Sequence, residues 1–459
     1  MGLVQIKKLL ESTQPLQQHH YTHSMLRHIS VRFFAAKQKS NRLVFRSRIG
    51  TSKIGRNLTQ GPPQDLNFFA HKAIRSSRQS AMWSRACETA YVDWIQGSAS
   101  HRQTSGRLLE LAESLDSTRT IPESLFVLEN LLSAVGLFEA GNALALRGHD
   151  LILRDAEKSP SVESMIRAIQ VSLVTGDLDL ATHSIARLRS IIGRSFKRAR
   201  YSASISDLEN YVSLWQGDEC SFPDFVPDKP TVEAQWRSYI RGRTVVVYGP
   251  GESSGLDQDI PNDDVVIRIA GPGSFNWTDH SDYASGRTDV VYLIPETLAV
   301  IGSSNQERTE IFAPYKFVGL KRSSADYIPN LRRVESGSRL FLTGHPNMVP
   351  LVCIDALRVP EVKVSVLGSN FFASSIAYRQ DSLRSNPDKS SQTSAGSSGR
   401  QFDRTTLMAS HNAIQNRAVV KNLVTAGHIT GDKEFLEAVN LSNLDYVRRL
   451  DEIYGQERV

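Results

Sequence analysis

Residues 244–251 read TVVVYGPG, and this stretch decides the fold of the second half of the chain. A run of β-branched residues is typical of a buried strand, and the glycines after it predict a loop at the strand's carboxyl end. Four later stretches are also short and rich in β-branched and other apolar residues: residues 265–269, 290–294, 316–320 and 362–367. We therefore expect these five stretches to form the strands of one sheet.

A helical spacing of apolar residues lies between two of these strands, at residues 348–357. Strands that alternate with helices indicate an α/β fold with a mostly parallel sheet covered on both faces. We expect this domain to span residues 243–459.

The chain before this domain has a different pattern of apolar residues. Apolar residues recur at three- and four-residue spacings over residues 81–218, which predicts an all-α domain. Proline-rich residues 219–242 are expected to link it to the α/β domain. Within the helical part, LLSAVG ending at Gly136 resembles VSLVTG ending at Gly176. Because glycine accepts the left-handed conformation of a helix end, each glycine is expected between two helices.

These two helical hairpins, 40 residues apart, resemble tetratricopeptide-type repeats. The resemblance implies a surface that binds a protein partner. An ordinary helical domain is the alternative.

Positive charge is concentrated at the start of the chain. Residues 1–80 hold 14 Lys and Arg against Glu11 and Asp65, whereas the whole chain has a formal net charge of +6. The segment is interpreted as a basic, flexible arm; a patch for anionic lipid or nucleic acid, or a transit peptide, are the alternatives. For the whole chain we expect a peripheral contact with an anionic membrane and no nucleic-acid partner.

Three widely separated cysteines, Cys87, Cys220 and Cys353, favour neither a disulfide framework nor a zinc site. No apolar run has the roughly 18 residues of a spanning helix. These features favour a cytoplasmic protein, peripheral to the inner face of a membrane at most.

The candidate chemistry lies where the expected strands end, because parallel sheets bind ligands beyond the carboxyl ends of their strands. Gly249, Gly251 and Ser253 follow the first strand and are expected to bring N–H groups to a phosphate. Thr343-Gly344 precedes the helix at 348–357 and is expected to present amides to an anion.

Two further candidates follow the last expected strand. Asn370 and Phe372 lie in the sequence GSNFF directly after it, and Tyr378 is six residues further. Residues 382–401, rich in Ser, Gly and Asn, are expected to form a mobile lid. His411 comes after that lid and is expected to open a helix as a general base.

The order of these motifs resembles that of the sialyltransferases of glycosyltransferase families 42 and 29. Those enzymes have a Gly-rich loop after the first strand, a Ser-Gly or Thr-Gly pair before a helix, a Val-rich strand with an aromatic end, a lid and a His-initiated helix. The matching positions here are the 249–251 loop, Thr343-Gly344, residues 364–372, Tyr378 and His411, with Arg268 in the second strand. The resemblance covers about 215 residues and rests on the order of the motifs.

The resemblance implies a Rossmann-like sheet of the GT-A-like sialyltransferase variant and a CMP-linked sugar donor, CMP-sialic acid in the type case. It implies metal-independent inverting transfer to a glycan hydroxyl, with His411 and Tyr378 catalytic and no cofactor. Four positions differ from the family: Pro250, Ala270, Ile294 and Phe372 stand where it has polar side chains that hold the nucleotide and its phosphate. Three alternatives therefore stay open: another sugar nucleotide is used, other residues replace the missing polar groups, or the domain is a degenerate binder.

Two other classes compete with this interpretation. The first is a pyrophosphokinase-like or flagellin-glycosylation accessory domain, which needs acidic metal ligands; Asp257, Asp259, Asp263 and Asp264 are the acidic residues near the first loop. The second is a non-enzymatic helical-repeat scaffold with an inert α/β domain.

Overall fold

The computed structural model describes residues 99–114, 122–134, 136–193, 198–218, 229–249, 260–270, 287–293, 304–320, 330–334, 339–342, 346–374 and 411–455, together with residues 89, 220, 251, 328, 337 and 408. The basic arm at 1–80, the linker residues 221–228 and the lid at 382–401 lie outside these ranges.

Within the described ranges, seven helices precede the sheet: α1 (His101–Glu113), α2 (Pro122–Ala134), α3 (Phe138–Lys158), α4 (Val162–Thr175), α5 (Leu178–Gly193), α6 (Arg198–Gln216) and α7 (Pro230–Ile240). Helix α7 occupies part of the segment expected to be a linker. Pro230 starts it, because proline fixes a helical φ where the first turn needs no N–H donor.

The sheet segment alternates strands and helices: β1 (Thr244–Tyr248), β2 (Val265–Ala270), β3 (Val290–Leu293), α8 (Asn305–Phe312), β4 (Phe317–Leu320), β5 (Leu331–Arg333), α9 (Met348–Leu357), β6 (Lys363–Leu367), α10 (Ala413–Thr425), β7 (Ile429–Gly431), α11 (Lys433–Asn440) and α12 (Asn443–Tyr454). The five predicted strands are confirmed to within one residue at each end. Strands β5 and β7 were not predicted.

The seven strands form one sheet in the order β5-β4-β3-β2-β1-β6-β7. All six strand pairs are parallel, which confirms the α/β class. The chain steps outward from β1 to β5 and then returns to the other side of β1 as β6. The carboxyl ends of β1 and β6 therefore form the topological switch point of the sheet, the usual place for a ligand in such folds.

The two faces of the sheet are both covered. One face carries Val247, Ile267 and Tyr292 and packs in the same core as the helices before the sheet and as α9 and α10. The other face carries Val291 and packs with Phe312 of α8. The helical segment and the sheet therefore share one core and belong to one compact unit.

The glycine turns of the helical segment are as predicted, and a third copy accompanies them. Gly136 and Gly176 have φ of 86° and 82° and separate α2 from α3 and α4 from α5. Gly217, 41 residues after Gly176, follows α6 with φ 81°. The sequences VSLVTGD and VSLWQGD around the last two glycines share five of seven residues. Asp177 and Asp218 each donate an N–H to a carbonyl five residues back at 2.9 Å, which ends both helices in the same way.

All three turns face the C-terminal part of the sheet segment. A Cβ at Gly136, Gly176 or Gly217 would meet Tyr454, Asn422 or His428, respectively. Two of these neighbours also bond the helix ends: Nδ2 of Asn422 donates to the carbonyls of Leu173 and Val174 at 3.0 Å, and Nε2 of His428 lies 2.9 Å from the carbonyl of Trp215. The repeats therefore dock on the sheet segment through equivalent positions.

A buried ionic cluster joins α7, β3, β5 and α9. Arg332 bonds Asp355, and its Nη2 lies 2.7 Å from Oε2 of Glu233. Arg358 bonds Asp355 at 3.1 Å, and the Tyr292 hydroxyl donates to Asp355 at 2.6 Å. Burial alone would raise the pKa of Asp355, but Arg332 and Arg358 hold it below its ordinary value. Each charge has an opposite partner, so the cluster fixes the helices on the sheet.

Candidate functional site

The loops after β1 and β6 are bonded to each other at the switch point. The N–H of Gly249 donates to the carbonyl of Leu367, and the N–H of Gly251 donates to the carbonyl of Gly368, both at 2.7 Å. A Cβ at Gly249 would lie 2.4 Å from the oxygen of Gly368, so only glycine permits this approach. These two N–H groups were expected at a phosphate; in the structure they bind the neighbouring loop.

Asp432 holds the β6 loop from the other side. Its Oδ2 accepts the N–H of Gly368 at 2.6 Å, while its Oδ1 caps α11 by accepting the N–H of Phe435 at 2.7 Å. Gly368 itself has φ 68°, a value that favours glycine. The edge at β1, β6 and β7 is thus a rigid backbone layer.

The aromatic end of β6 has an unusual backbone. Phe371 and Phe372 have φ of 47° and 66°, where side chains are normally disfavoured. Oδ1 of Asn370 accepts the N–H of Phe372 at 3.0 Å. Hydroxyls of α12 hold the two carbonyls: Tyr446 donates to Phe371 at 2.6 Å and Tyr454 donates to Phe372 at 3.1 Å. Burial raises the pKa of Tyr446, which keeps this hydroxyl protonated.

Strain of this kind costs about 1–3 kcal/mol per residue and concentrates at functional sites. Asn370 and Phe372, both predicted as binding residues, therefore lie in a turn whose shape the C-terminal helix maintains. Asn370 also lies beside the first loop, with Nδ2 3.8 Å from the position of a Cβ on Gly251.

Two helix starts lie at the same edge. In a parallel sheet, a helix that connects two strands runs back across the sheet, so α9 and α10 begin at the carboxyl edge. Asn416 of α10 bonds both starts: its Oδ1 accepts the N–H of Asn347 at 2.8 Å, and its Nδ2 bonds the carbonyls of His411 and Asn412. The N-terminal ends of helices attract anions.

His411, the predicted general base, is half-buried. It was expected to open the helix, and this is wrong by two residues. Helix α10 begins at Ala413 and its cap is Asn412, whose Oδ1 accepts the N–H of Gln415 at 3.0 Å. Asn412 fits this place because asparagine tolerates its φ of 46° better than most residues.

A residue of the helical segment completes this turn. Nδ2 of Asn412 donates to Oε1 of Glu129 at 3.3 Å, and Glu129, on α2, is only 2% exposed. Burial raises the pKa of Glu129 to about 8, and the hydrogen bond from Asn412 opposes that shift. Sequence reasoning missed Glu129 because it lies 283 residues before its partner.

Arg268, predicted as a binding residue, lies near the carboxyl end of β2. It is 4% exposed and pairs in register with Tyr248, on the sheet face opposite to α9. Its charge partly offsets the burial that raises the pKa of Tyr315. Its side chain is therefore part of the packing on that face.

Asp263 and Asp264 precede β2 and thus lie at the amino edge of the sheet. That edge is remote from the switch point, where a metal-dependent kinase would need them. Asp257 and Asp259 lie outside the described residues, as do Pro250, Ser253, Ile294, Thr343, Gly344 and Tyr378, together with the side chain of Ala270.

No protein-family model, curated protein or solved structure matches this chain. Across the described ranges, no group of three or more His, Cys, Asp or Glu side chains is placed to hold a metal ion. Of the helices in those ranges, none combines the length and apolar character that crossing a bilayer requires.

Proposed function

We propose that this protein is a sialyltransferase-like glycosyltransferase with its active site at the ends of β1 and β6. The observation that carries the proposal is the bridge formed by Asn416 between Asn347 and the His411–Asn412 turn. Asn347 follows Thr343-Gly344 closely in sequence, so the bridge links the two motifs that the sialyltransferase resemblance places at the donor and at the base. In this proposal the parallel sheet is the Rossmann-like, GT-A-like variant of those enzymes.

The proposed reaction is an inverting transfer from a CMP-linked sugar, of the sialic acid type, to a glycan hydroxyl. The acceptor oxygen forms a bond to the anomeric carbon as the bond from that carbon to the phosphate oxygen breaks. His411 takes the proton of the acceptor hydroxyl. The phosphate leaves with its negative charge, which the starts of α9 and α10 and the Tyr378 hydroxyl stabilise.

The two aromatic residues after β6 have a separate role in this proposal. The left-handed turn at Phe371 and Phe372, next to Asn370, forms one wall of the donor site, and α12 holds its shape. Because Gly249 and Gly251 are bonded to the β6 loop, their contribution is the close approach of the two loops. We propose that the protein acts in the cytoplasm, with the basic residues 1–80 against an anionic membrane and the helical repeats available to a protein partner.

The first experiment measures nucleotide binding by calorimetry with the full chain. CMP is expected to bind without magnesium, and CDP, UMP and GDP to bind more weakly. Binding of ATP only with magnesium would support a kinase-like domain instead, and a chain that binds none of these nucleotides would contradict both.

The second experiment measures CMP release from CMP-sialic acid in the presence of glycan acceptors. His411→Ala is expected to lower turnover by about a hundred- to ten-thousandfold while CMP affinity stays near that of the unmodified protein. His183→Ala, at an exposed position on α5, is the matched control and is expected to keep full turnover. Unchanged turnover in His411→Ala would contradict the proposed mechanism.

A further inference from the structure

The helical segment contributes a carboxyl group to the turn that carries His411. Glu129 lies on α2, and its side chain reaches Asn412, the residue directly after His411. The backbone of Glu129 is fixed in turn by α3, since a Cβ at Gly141 would lie 3.0 Å from the carbonyl oxygen of Glu129. The close approach of α2 and α3 thus places the backbone from which this carboxyl group extends.

A structural role alone explains this carboxyl group poorly. A carboxyl group taken out of water is unfavourable unless it is hydrogen-bonded or paired with a cation. The influences on the pKa of Glu129 are burial and the bond from Asn412, with no charge-assisted partner among the described residues. Its second oxygen, Oε2, is buried and makes no hydrogen bond within the described part of the chain. An apolar residue would fill the same space in α2 at lower cost.

The bond from Asn412 instead defines the conformation of the turn. Asn412 is in the left-handed region, and its side-chain amide is used at both ends: Oδ1 caps α10 and Nδ2 bonds Glu129. The peptide that joins His411 to Asn412 is also bonded by Asn416. Contacts from α2 and from α10 therefore act together on the backbone that orients the imidazole.

We propose that Glu129 is a positioning residue for His411, acting through Asn412, so that the helical segment completes the active site. This inference rests on the proposed function only in assigning His411 as the base. It gives the repeats a role at the site beyond binding a partner.

The test compares Glu129→Ala with Glu129→Gln and Leu128→Ala. Gln keeps an acceptor for Asn412 and the size of the acid, whereas Ala removes both. Leu128 is buried in the same helix, so its replacement destabilises α2 and leaves Glu129 in place. If Glu129 positions the base, Glu129→Ala lowers kcat about ten- to hundredfold with the KM for the CMP-sugar nearly unchanged, and Gln restores most of the rate.

A second readout does not need transfer activity. Diethyl pyrocarbonate modifies accessible histidines, and peptide mass spectrometry gives the rate at His411 relative to exposed His183. Glu129→Ala is expected to change this ratio several-fold, while Glu129→Gln and Leu128→Ala keep it. If the unmodified protein transfers no sugar, the proposed function fails, and the reactivity ratio still decides the role of Glu129. The same ratio in Glu129→Ala and Leu128→Ala would overturn the inference.

Discussion

The N–H of Asn347 donates to Oδ1 of Asn416 at 2.8 Å, across 69 residues of sequence. This bond joins the start of α9 to the first turn of α10 and makes one unit of two helix N-termini. The same Asn416 amide bonds the carbonyls of His411 and Asn412 through its nitrogen. A single buried side chain therefore sets the spacing between the two motifs of the proposed active site.

Replacing Asn416 by Ala should destabilise the protein and misplace His411. The partly buried N–H of Asn347 and the carbonyls of His411 and Asn412 would lose their Asn416 partner, and a buried group left unpaired costs about 1–3 kcal/mol. We expect the free energy of unfolding in urea to fall by about 2–4 kcal/mol and turnover to fall more than nucleotide affinity.

Asn210→Ala is the control for Asn416. Asn210 is half-buried, and its Nδ2 donates to the Ser206 carbonyl one turn back in the same helix, α6, at 2.7 Å. Asn210→Ala should lower the free energy of unfolding by about 1 kcal/mol or less and leave turnover unchanged. Equal losses of stability in the two variants would contradict the bridging role of Asn416.

The strands were predictable where hydrophobicity was continuous. β1 is a run of β-branched residues that is buried on both faces, and β6 buries Val364, Val366 and Leu367. β5 has the sequence Leu-Arg-Arg, and its two charged residues give no sequence signal for a buried strand. Arg332 is buried there because Glu233 and Asp355 neutralise its charge. β7 has three residues and ends in glycine, too short for a periodic signal.

The site was predictable only as an order of motifs along the chain. Loops after β1 and β6 follow from the strand ends, but their mutual hydrogen bonds depend on the strand order. Glu129 gives no local signal, since its role comes from a contact with Asn412 made by folding. The repeat of VSLVTGD as VSLWQGD was present in the sequence, and a self-comparison would have found the third turn.

Arg332→Met should be among the most destabilising single replacements. It leaves Glu233 and Asp355 buried, with Arg358 still paired to both and the partly exposed Arg237 still paired to Glu233. Breaking a buried pair by removing one partner costs about 3–5 kcal/mol. Chemical denaturation should show a loss of this size. Arg189→Met is the control, because Arg189 is 66% exposed in its pair with Glu209 and such surface pairs contribute about 0–1 kcal/mol.

The glycine turns of the repeats should resist substitution. Gly176→Ala and Gly217→Ala place a Cβ at φ near 80° and against Asn422 or His428. Each should lower the free energy of unfolding by about 1–3 kcal/mol. Gly106→Ala is the control, because Gly106 lies inside α1 with open space around its Cβ position. This replacement should raise the free energy of unfolding by about 0.5–1 kcal/mol. A neutral effect at both turns would show that the repeats do not depend on this docking.

Glu129 should give the protein a pH-dependent stability that Glu129→Gln lacks. Burial raises the pKa of Glu129 from 4.5 to about 8, so the folded state holds a proton that the unfolded state releases above pH 4.5. A raised pKa contributes stability that is complete below the unfolded pKa and is lost as pH rises through the folded pKa. Between about pH 5 and pH 8 the unmodified protein should therefore lose about 2–4 kcal/mol relative to Glu129→Gln, with little further change above that range.

Urea unfolding of both proteins at several pH values measures this difference directly. Leu128→Ala serves as the control: it should lower stability at every pH and keep the pH dependence of the unmodified protein, because Glu129 stays in place. Parallel curves for Glu129→Gln and the unmodified protein would mean that Glu129 ionises as it does in water. The carboxyl group would then lie in solvent, and neither its burial beside Asn412 nor its role in orienting His411 would hold.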